Sequence, residues 1–455
     1  MNERNPSETK GIEQEYAHVN GGFSSSLGFV IACVGSAVGL GNIWMFPYRL
    51  GEYGGAAFLI PYLLFVFLFG WVGLSAEFGV GRLSRTGTLG SYRYCFSCRG
   101  KEKLGEVLGW LPLLGSLGIA IGYAVIVGWV LYFCGGALNG QLFSGDAGTY
   151  FSQMQGDFSS VPWHAAVVVL VCAVLITGVS KGVERVSKVL MPLFFLLFLV
   201  LTVWVAFLPN AGRGYEFLLI PRWEALLRVD TWVMAMGQAF FSLSITGSGM
   251  IVYGAYLSKK ADIPQASMRT AVFDTLAALL SGLAIMPAVF SFGIPADSGP
   301  SLIFITLPQV FARMQSPFGS FFAIFFFVSV AFAGITSLIN MFEAVTESWQ
   351  TRFQISRTAA VLLCGGITFL AGMFLEAEPK VGSWMDFISI VVVPAGAVLG
   401  AISIYYVLGY HKIRSELELG REKPLPRCFR IVAKYVYVPL TVLVLLLGFL
   451  YHGIG

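Results

Sequence analysis

The sequence predicts an all-α polytopic membrane protein of about eleven transmembrane helices in one domain. Three observations carry this reading. The chain is 56% hydrophobic and only 12% charged, with a mean hydropathy of +0.76, far from the balance of a soluble domain. Its apolar residues gather into stretches near the ~20 residues that span a bilayer. Its Lys and Arg collect in alternate loops between those stretches.

In chain order the apolar stretches run at about 24–48, 54–81, 105–138, 162–180, 187–208, 231–256, 269–294, 317–348, 357–375, 384–409 and 433–452. Met1 to Asn20 is polar, carries two Lys/Arg and lacks a short apolar core with a cleavage site, so no cleaved signal peptide is expected. An N-terminus placed inside leaves about 23 of the 29 Lys and Arg cytoplasmic. Arg49, Arg213, Arg222, Arg228, Arg313 and Lys380 then fall outside or near that face, and Gly455 lies outside. The net charge of +4 follows from this topology. The implied partner is a lipid bilayer, and nothing points to nucleic acid.

Cys33, Cys134, Cys172 and Cys364 sit in apolar spans as small apolar side chains, and Cys428 sits in a basic loop. Cys95-Phe-Ser-Cys98 is a lone pair without the second pair a zinc site needs, and is read as two reduced thiols.

No long linker divides residues 1–455. The longest polar loops, about 82–104 and 410–432, are basic and cytoplasmic, and about 139–161 lies outside. Span one holds Gly35, Gly39 and Gly41 and then Pro47, and span six holds Gly237, Gly247 and Gly249 around a Ser/Thr cluster. Such helix-weakening residues serve close packing between helices or mark a broken helix. Two broken helices, first and sixth, are what an inverted repeat of five plus five helices gives. The first repeat is then about 23–209, the second about 230–410, with an extra helix at about 433–453. A break in lipid exposes backbone groups that only protein, water, ions or substrate can satisfy, which makes each break a binding-site candidate.

The run Gly35-Ser-Ala-Val-Gly-Leu-Gly-Asn-Ile-Trp-Met-Phe-Pro47, followed by Gly54-Gly55-Ala-Ala-Phe-Leu-Ile-Pro61-Tyr62, resembles the first two helices of the neurotransmitter:sodium symporter family. Further matches recur in order in spans 3, 5, 6, 7, 8 and 10. The resemblance implies two Na+ sites. The first, beside the substrate, falls on Ala37, Asn42, Ser242 and Asp274; the second on Gly35, Val38, Ala333, Thr336 and Ser337. These are hard oxygen donors suited to a hard cation.

The resemblance also places the substrate. Amine-carrying relatives have an aspartate at the position of Gly39, so a chain with glycine there is expected to take a substrate that brings its own carboxylate. That group would meet the amides of Leu40 and Gly41 at a half-helix start, together with the Tyr123 hydroxyl. The ammonium would face carbonyls of Ala37, Phe241 and Ser242 and the Ser244 hydroxyl, and the side chain would lie among Ile119, Phe241, Gly247, Ser337 and Met341. Gly247 stands where a bulky residue is usual, which leaves room for a branched or aromatic substrate. Gly182 and Pro192 resemble the family's hinge at the start of span 5, and Glu77 its helper that bonds broken-helix backbone. Chloride-dependent relatives bind the anion with residues matching Tyr62, Gln238 and Ser242, but here Ala278 and Asp274 stand on helix 7, and the Asp274 carboxylate would replace the anion. Met45 stands where a vestibule-closing arginine is usual, although its acidic partner, Asp386, remains. Asn20 and Phe23 replace an inner Arg and Trp.

These matches imply a chloride-independent, Na+-coupled symporter in a bacterial inner (plasma) membrane that imports a hydrophobic L-amino acid by alternating access. A transporter-like receptor that binds without transport and a proton-coupled transporter on the same fold stand as alternatives. An enzyme is disfavoured, because His18, His164, His411 and His452 are scattered at loops and ends.

Overall fold

The computed structural model describes residues 22–156, 158–293, 301–314 and 317–453, and the described residues contain helices and no strands. Lipid explains this economy: without water to pair backbone groups, an isolated span satisfies itself only as a helix. The first span, α1, is broken into Ser26–Ala37 and Gly41–Glu52, bent by 60°. It is followed by α2 (Gly55–Ser84), α3 (Glu102–Asn139), α4 (Val161–Ile176) and α5 (Val179–Val205). Span α6 is broken into Val229–Ser242 and Gly249–Ala255. The remainder are α7 (Ile263–Ser291), α8 (Phe318–Phe353), α9 (Arg357–Leu375), α10 (Glu378–Leu417) and α11 (Cys428–Leu450).

Each predicted apolar stretch coincides with one of these helices. Among the described residues eight are continuous and long enough to cross a membrane, and α1 crosses as a bent pair. The clearest boundary difference lies at α4 and α5. The predicted stretch 162–180 ends early, because Gly178 adopts φ +94° and turns the chain, and α5 then starts at Val179, earlier than the predicted 187. A left-handed glycine closes one helix and lets the next begin at once.

The core centres on α3 and α8, whose most apolar stretches are 83% and 78% buried, against 28% for α5 and 33% for α9 and α11, the lipid-facing helices. α3 and α8 run antiparallel: Phe133 meets Phe327 at one end, ring centroids 5.3 Å apart, and Trp110 meets Phe353 at the other, 6.3 Å apart. The second half of α6 is held against α2 by glycines on both sides. A Cβ on Gly81 would fall 1.9 Å from the Ile251 carbonyl, and one on Gly254 would fall 2.4 Å from that of Phe78, so neither tolerates a side chain.

Within α8 the buried Glu343 accepts from Arg357 at the start of α9 through both carboxylate oxygens, at 3.0 and 2.6 Å, and from the Tyr256 hydroxyl at 2.5 Å. These bonds tie the start of α9 and the end of α6 to α8. Asn20 lies outside the described residues. Phe23 packs edge-on against Phe29 and Tyr253, at 5.3 and 5.5 Å, an aromatic plug at the start of α1.

Candidate substrate and sodium sites

Both breaks are built from residues that satisfy the backbone they free. In α1 the helix stops at Ala37, Val38 turns to ψ 110°, and the next two amides find side chains. Gly39 N donates to Asn42 Oδ1 at 3.0 Å, and Leu40 N donates to the Tyr123 hydroxyl on α3 at 2.9 Å. In α6 the Gly247 amide donates to Glu77 Oε1 of α2 at 2.8 Å, and the Asn340 amide of α8 donates to the Gly249 carbonyl at 3.2 Å. Asn42 belongs to the second half of α1 itself, whereas Tyr123, Glu77 and Asn340 belong to unbroken neighbours, so rigid helices help hold the interrupted ones open.

The residues expected at the first ion site form one buried cluster. Asn42 Nδ2 donates to Asp274 Oδ1 at 2.8 Å and contacts Ser242 Oγ at 3.1 Å. Ser242 Oγ in turn donates to Asp274 Oδ2 at 2.6 Å, and Asp274 is fully buried. Ala37 lines the same cavity as Asn42 and Ser242. The cluster's one acid is matched by no basic side chain among its bonded partners, and a monovalent cation would neutralise it.

The five residues expected at the second ion site also converge. Ser337 Oγ lies 3.4 Å from the Gly35 carbonyl and 3.1 Å from that of Val38. Thr336 Oγ1 lies 3.1 Å from the Ala333 carbonyl, and a Cβ on Gly35 would come 3.1 Å from Thr336 Cβ. One hydroxyl proton on Ser337 cannot serve several carbonyls together. The set is wholly oxygen and uncharged, chemistry that suits a hard monovalent cation. At the start of α1, Ser24 meets α5: Glu184 accepts from Ser24 N at 2.6 Å and from Ser24 Oγ at 2.5 Å, and pairs with Lys188 at 2.6 Å. The start of α1 is thereby tied to the segment between Gly182 and Pro192.

Between the breaks lies a cavity with about 60 Å³ in which the centre of a water molecule fits, roughly four to six times the ~10–15 Å³ one water needs. Ala37, Leu40, Gly41, Ile119, Tyr123, Phe241, Ser242, Ser244, Ser337 and Met341 all line it. Gly247 does not. Its φ is +73°, and a Cβ there would stand 2.6 Å from the Gly396 carbonyl and 2.8 Å from the Tyr92 hydroxyl. Gly247 is therefore glycine because α10 approaches it closely, and the room expected from it is not part of the cavity. Around the break, Ile245, Thr246 and Gly249 line the cavity instead.

Above this cavity opens a vestibule of about 690 Å³. Leu40, Gly41, Tyr123 and Phe241 line both spaces and form the partition. The vestibule holds a residue whose role the sequence reading missed: Arg49, one helical turn beyond Met45, donates to Gln238 Oε1 at 3.2 Å. Asp386 lines the same vestibule from α10. The i to i+4 spacing from Met45 was the available signal.

Comparison with known proteins agrees with this architecture. The model of the sodium:neurotransmitter symporter family matches residues 20–151 and 143–452. The uncharacterised sodium-dependent transporter YhdH of Bacillus subtilis is 33% identical over 414 residues, covering 88% of this chain and 90% of its own. The uncharacterised sodium-dependent transporter MJ1319 of Methanocaldococcus jannaschii is 30% identical, covering 88% and 85%. Among solved structures, MhsT in complex with L-phenylalanine superposes with a TM-score of 0.82 at 31% identity, covering 94% of this chain and 100% of that one. The chain belongs to the sodium:neurotransmitter symporter family, a family of sodium-dependent membrane transporters.

Proposed function

We propose that this protein imports a hydrophobic L-amino acid, branched or aromatic, by Na+ symport through alternating access, with two Na+ and without chloride, in a bacterial plasma membrane. The observation that carries the reading is the bare Gly39 beside Tyr123. Among the described residues lining the cavity there is no carboxylate at that point, while the Tyr123 hydroxyl and the amide-rich start of the second half of α1 face it, the surroundings an incoming carboxylate needs. The similarity to a protein solved with bound L-phenylalanine supports the same substrate class.

In this reading Na+ at the first site sits against Asp274 and the substrate carboxylate, so each ligand raises the affinity of the other. Na+ at the second site bridges the first half of α1 to α8 through Gly35, Val38, Thr336 and Ser337, and holds α1 in place. Its loss would free α1, and breaking the Ser24–Glu184 contact would let the Gly182–Pro192 segment open towards the inner side. The two five-helix repeats, about 23–209 and 230–410, supply the moving parts. A competition screen of the twenty amino acids against uptake, with Na+ and with K+ in its place, tests the proposal. Inhibition by branched and aromatic amino acids in Na+ alone is expected, and Na+-independent uptake would refute it.

A further inference from the structure

The cavity carries polar groups where a purely hydrophobic substrate has no use for them. On α3, Tyr123, Ile119 and Ser116 share one face at helical spacing. Seven residues separate Tyr123 from Ser116, about 10 Å along the axis. On α8, which runs the opposite way, Asn340 and Met341 lie one turn beyond Ser337, about 5 Å further from the carboxylate end. The end of the cavity remote from Gly39 is thus floored by Ser116, Asn340 and Thr246, beneath walls of Ile119, Ile245 and Met341.

Two of the three floor residues are engaged with the α6 break. Asn340 Nδ2 donates to the Gly249 carbonyl at 3.2 Å, and Thr246 Oγ1 lies 3.4 Å from the Gly249 amide. Ser116 is different. It is 4% exposed, lines the cavity, and its hydroxyl makes no hydrogen bond to any described residue. A helical serine ordinarily returns its hydroxyl to the preceding turn; this one keeps donor and acceptor free for whatever occupies the cavity.

We infer that Ser116 is a specificity-determining residue, and that the site selects an amino acid whose side chain is apolar along its body and carries a hydroxyl or N–H at its tip, as in tyrosine. This inference rests on the amino-acid symport reading and narrows it. The side chain would run past Ile119 and Met341, and its terminal group would bond Ser116 Oγ. A branched aliphatic side chain is too short for that span and would leave the serine unpaired.

Tyrosine and phenylalanine differ by that one hydroxyl, and their competition against labelled amino-acid uptake in proteoliposomes under an inward Na+ gradient tests the inference. The wild type is expected to favour tyrosine by about three- to tenfold, the effect of one net hydrogen bond between neutral groups. Ser116→Ala should bring the ratio of the two inhibition constants close to one, and Ser116→Thr, which keeps the hydroxyl, should retain most of the preference. A wild type that treats the two alike or favours phenylalanine, or a preference that survives Ser116→Ala, would overturn the inference and leave the hydroxyl as a partner of water alone. Alanine is a good helix former, so Ser116→Ala should fold, and the threonine variant provides a second reading. Failure of all twenty amino acids to enter with Na+ would instead overturn the symport reading, and this inference with it.

Discussion

Gly39→Asp is the substitution from which the substrate site predicts most. A Cβ on residue 39 would stand 2.7 Å from the Tyr123 hydroxyl and 3.2 Å from Ser337 Oγ. Even Gly39→Ala therefore pushes the tyrosine away from its 2.9 Å contact with Leu40 N, a loss of about one hydrogen bond, on the order of 1 kcal/mol or tenfold in affinity at most. The aspartate adds a fixed charge. Two carboxylates about 4 Å apart repel by about 4 kcal/mol at an effective dielectric near 20, which is roughly a thousandfold in affinity. The alanine variant thus measures the steric part, and the gap between alanine and aspartate measures the charge. Scintillation-proximity binding of a labelled amino acid at saturating Na+ reads both. We expect weakened binding for Gly39→Ala and no detectable binding for Gly39→Asp. Equal affinities for the two variants would show that the substrate carboxylate lies elsewhere.

Three further predictions follow from separate parts of the molecule. Thr336→Ala and Ser337→Ala should each raise the Na+ concentration for half-maximal uptake, by about tenfold for the loss of one oxygen donor; unchanged Na+ dependence in both would remove α8 from the second ion site. Uptake should survive replacement of chloride by gluconate, and Asp274→Asn should either inactivate the protein or make it anion-dependent. Initial rates in NaCl and sodium gluconate across pH decide this, and a collapse of the wild type in gluconate at every pH counts against the charge argument. Glu376, in the turn between α9 and α10, is held above the usual carboxylate range by burial, against the opposing bond from the Ser160 amide at 3.1 Å. Because its folded pKa is raised, the stability it contributes is complete below its ordinary value and falls as pH rises through the raised one. Glu376→Gln should therefore gain melting temperature over the wild type as pH rises from about 4 to about 8, and a constant or shrinking difference would refute this.

Much of this architecture is legible in the sequence because lipid enforces it. A span must be apolar for about 20 residues, so each helix announces itself, and the glycine clusters announce the two breaks. The short motifs of α1, α6, α7 and α8 also point to the residues that the structure gathers around the cavity. What stays hidden depends on contacts between distant segments. Gly247 reads as a vacancy in the pocket, but its neighbour is the Gly396 carbonyl, more than a hundred residues away, and no local rule fixes the facing of a residue in an unwound segment. Arg49 reads as an external charge until the 60° bend in α1 brings it within 3.2 Å of Gln238. Ser116 looks like any helical serine until α3 and α8 enclose the space that its hydroxyl faces.

The central claim is that Na+ drives an amino acid through this protein, and transport against a gradient tests it most directly. Purified protein in proteoliposomes, with Na+ outside, K+ inside and a labelled aromatic amino acid, should accumulate label above its external concentration, and gramicidin should release it by collapsing the Na+ gradient. Accumulation that is equal when K+ replaces external Na+, or Na+-dependent binding that never exceeds one amino acid per protein, would contradict the account.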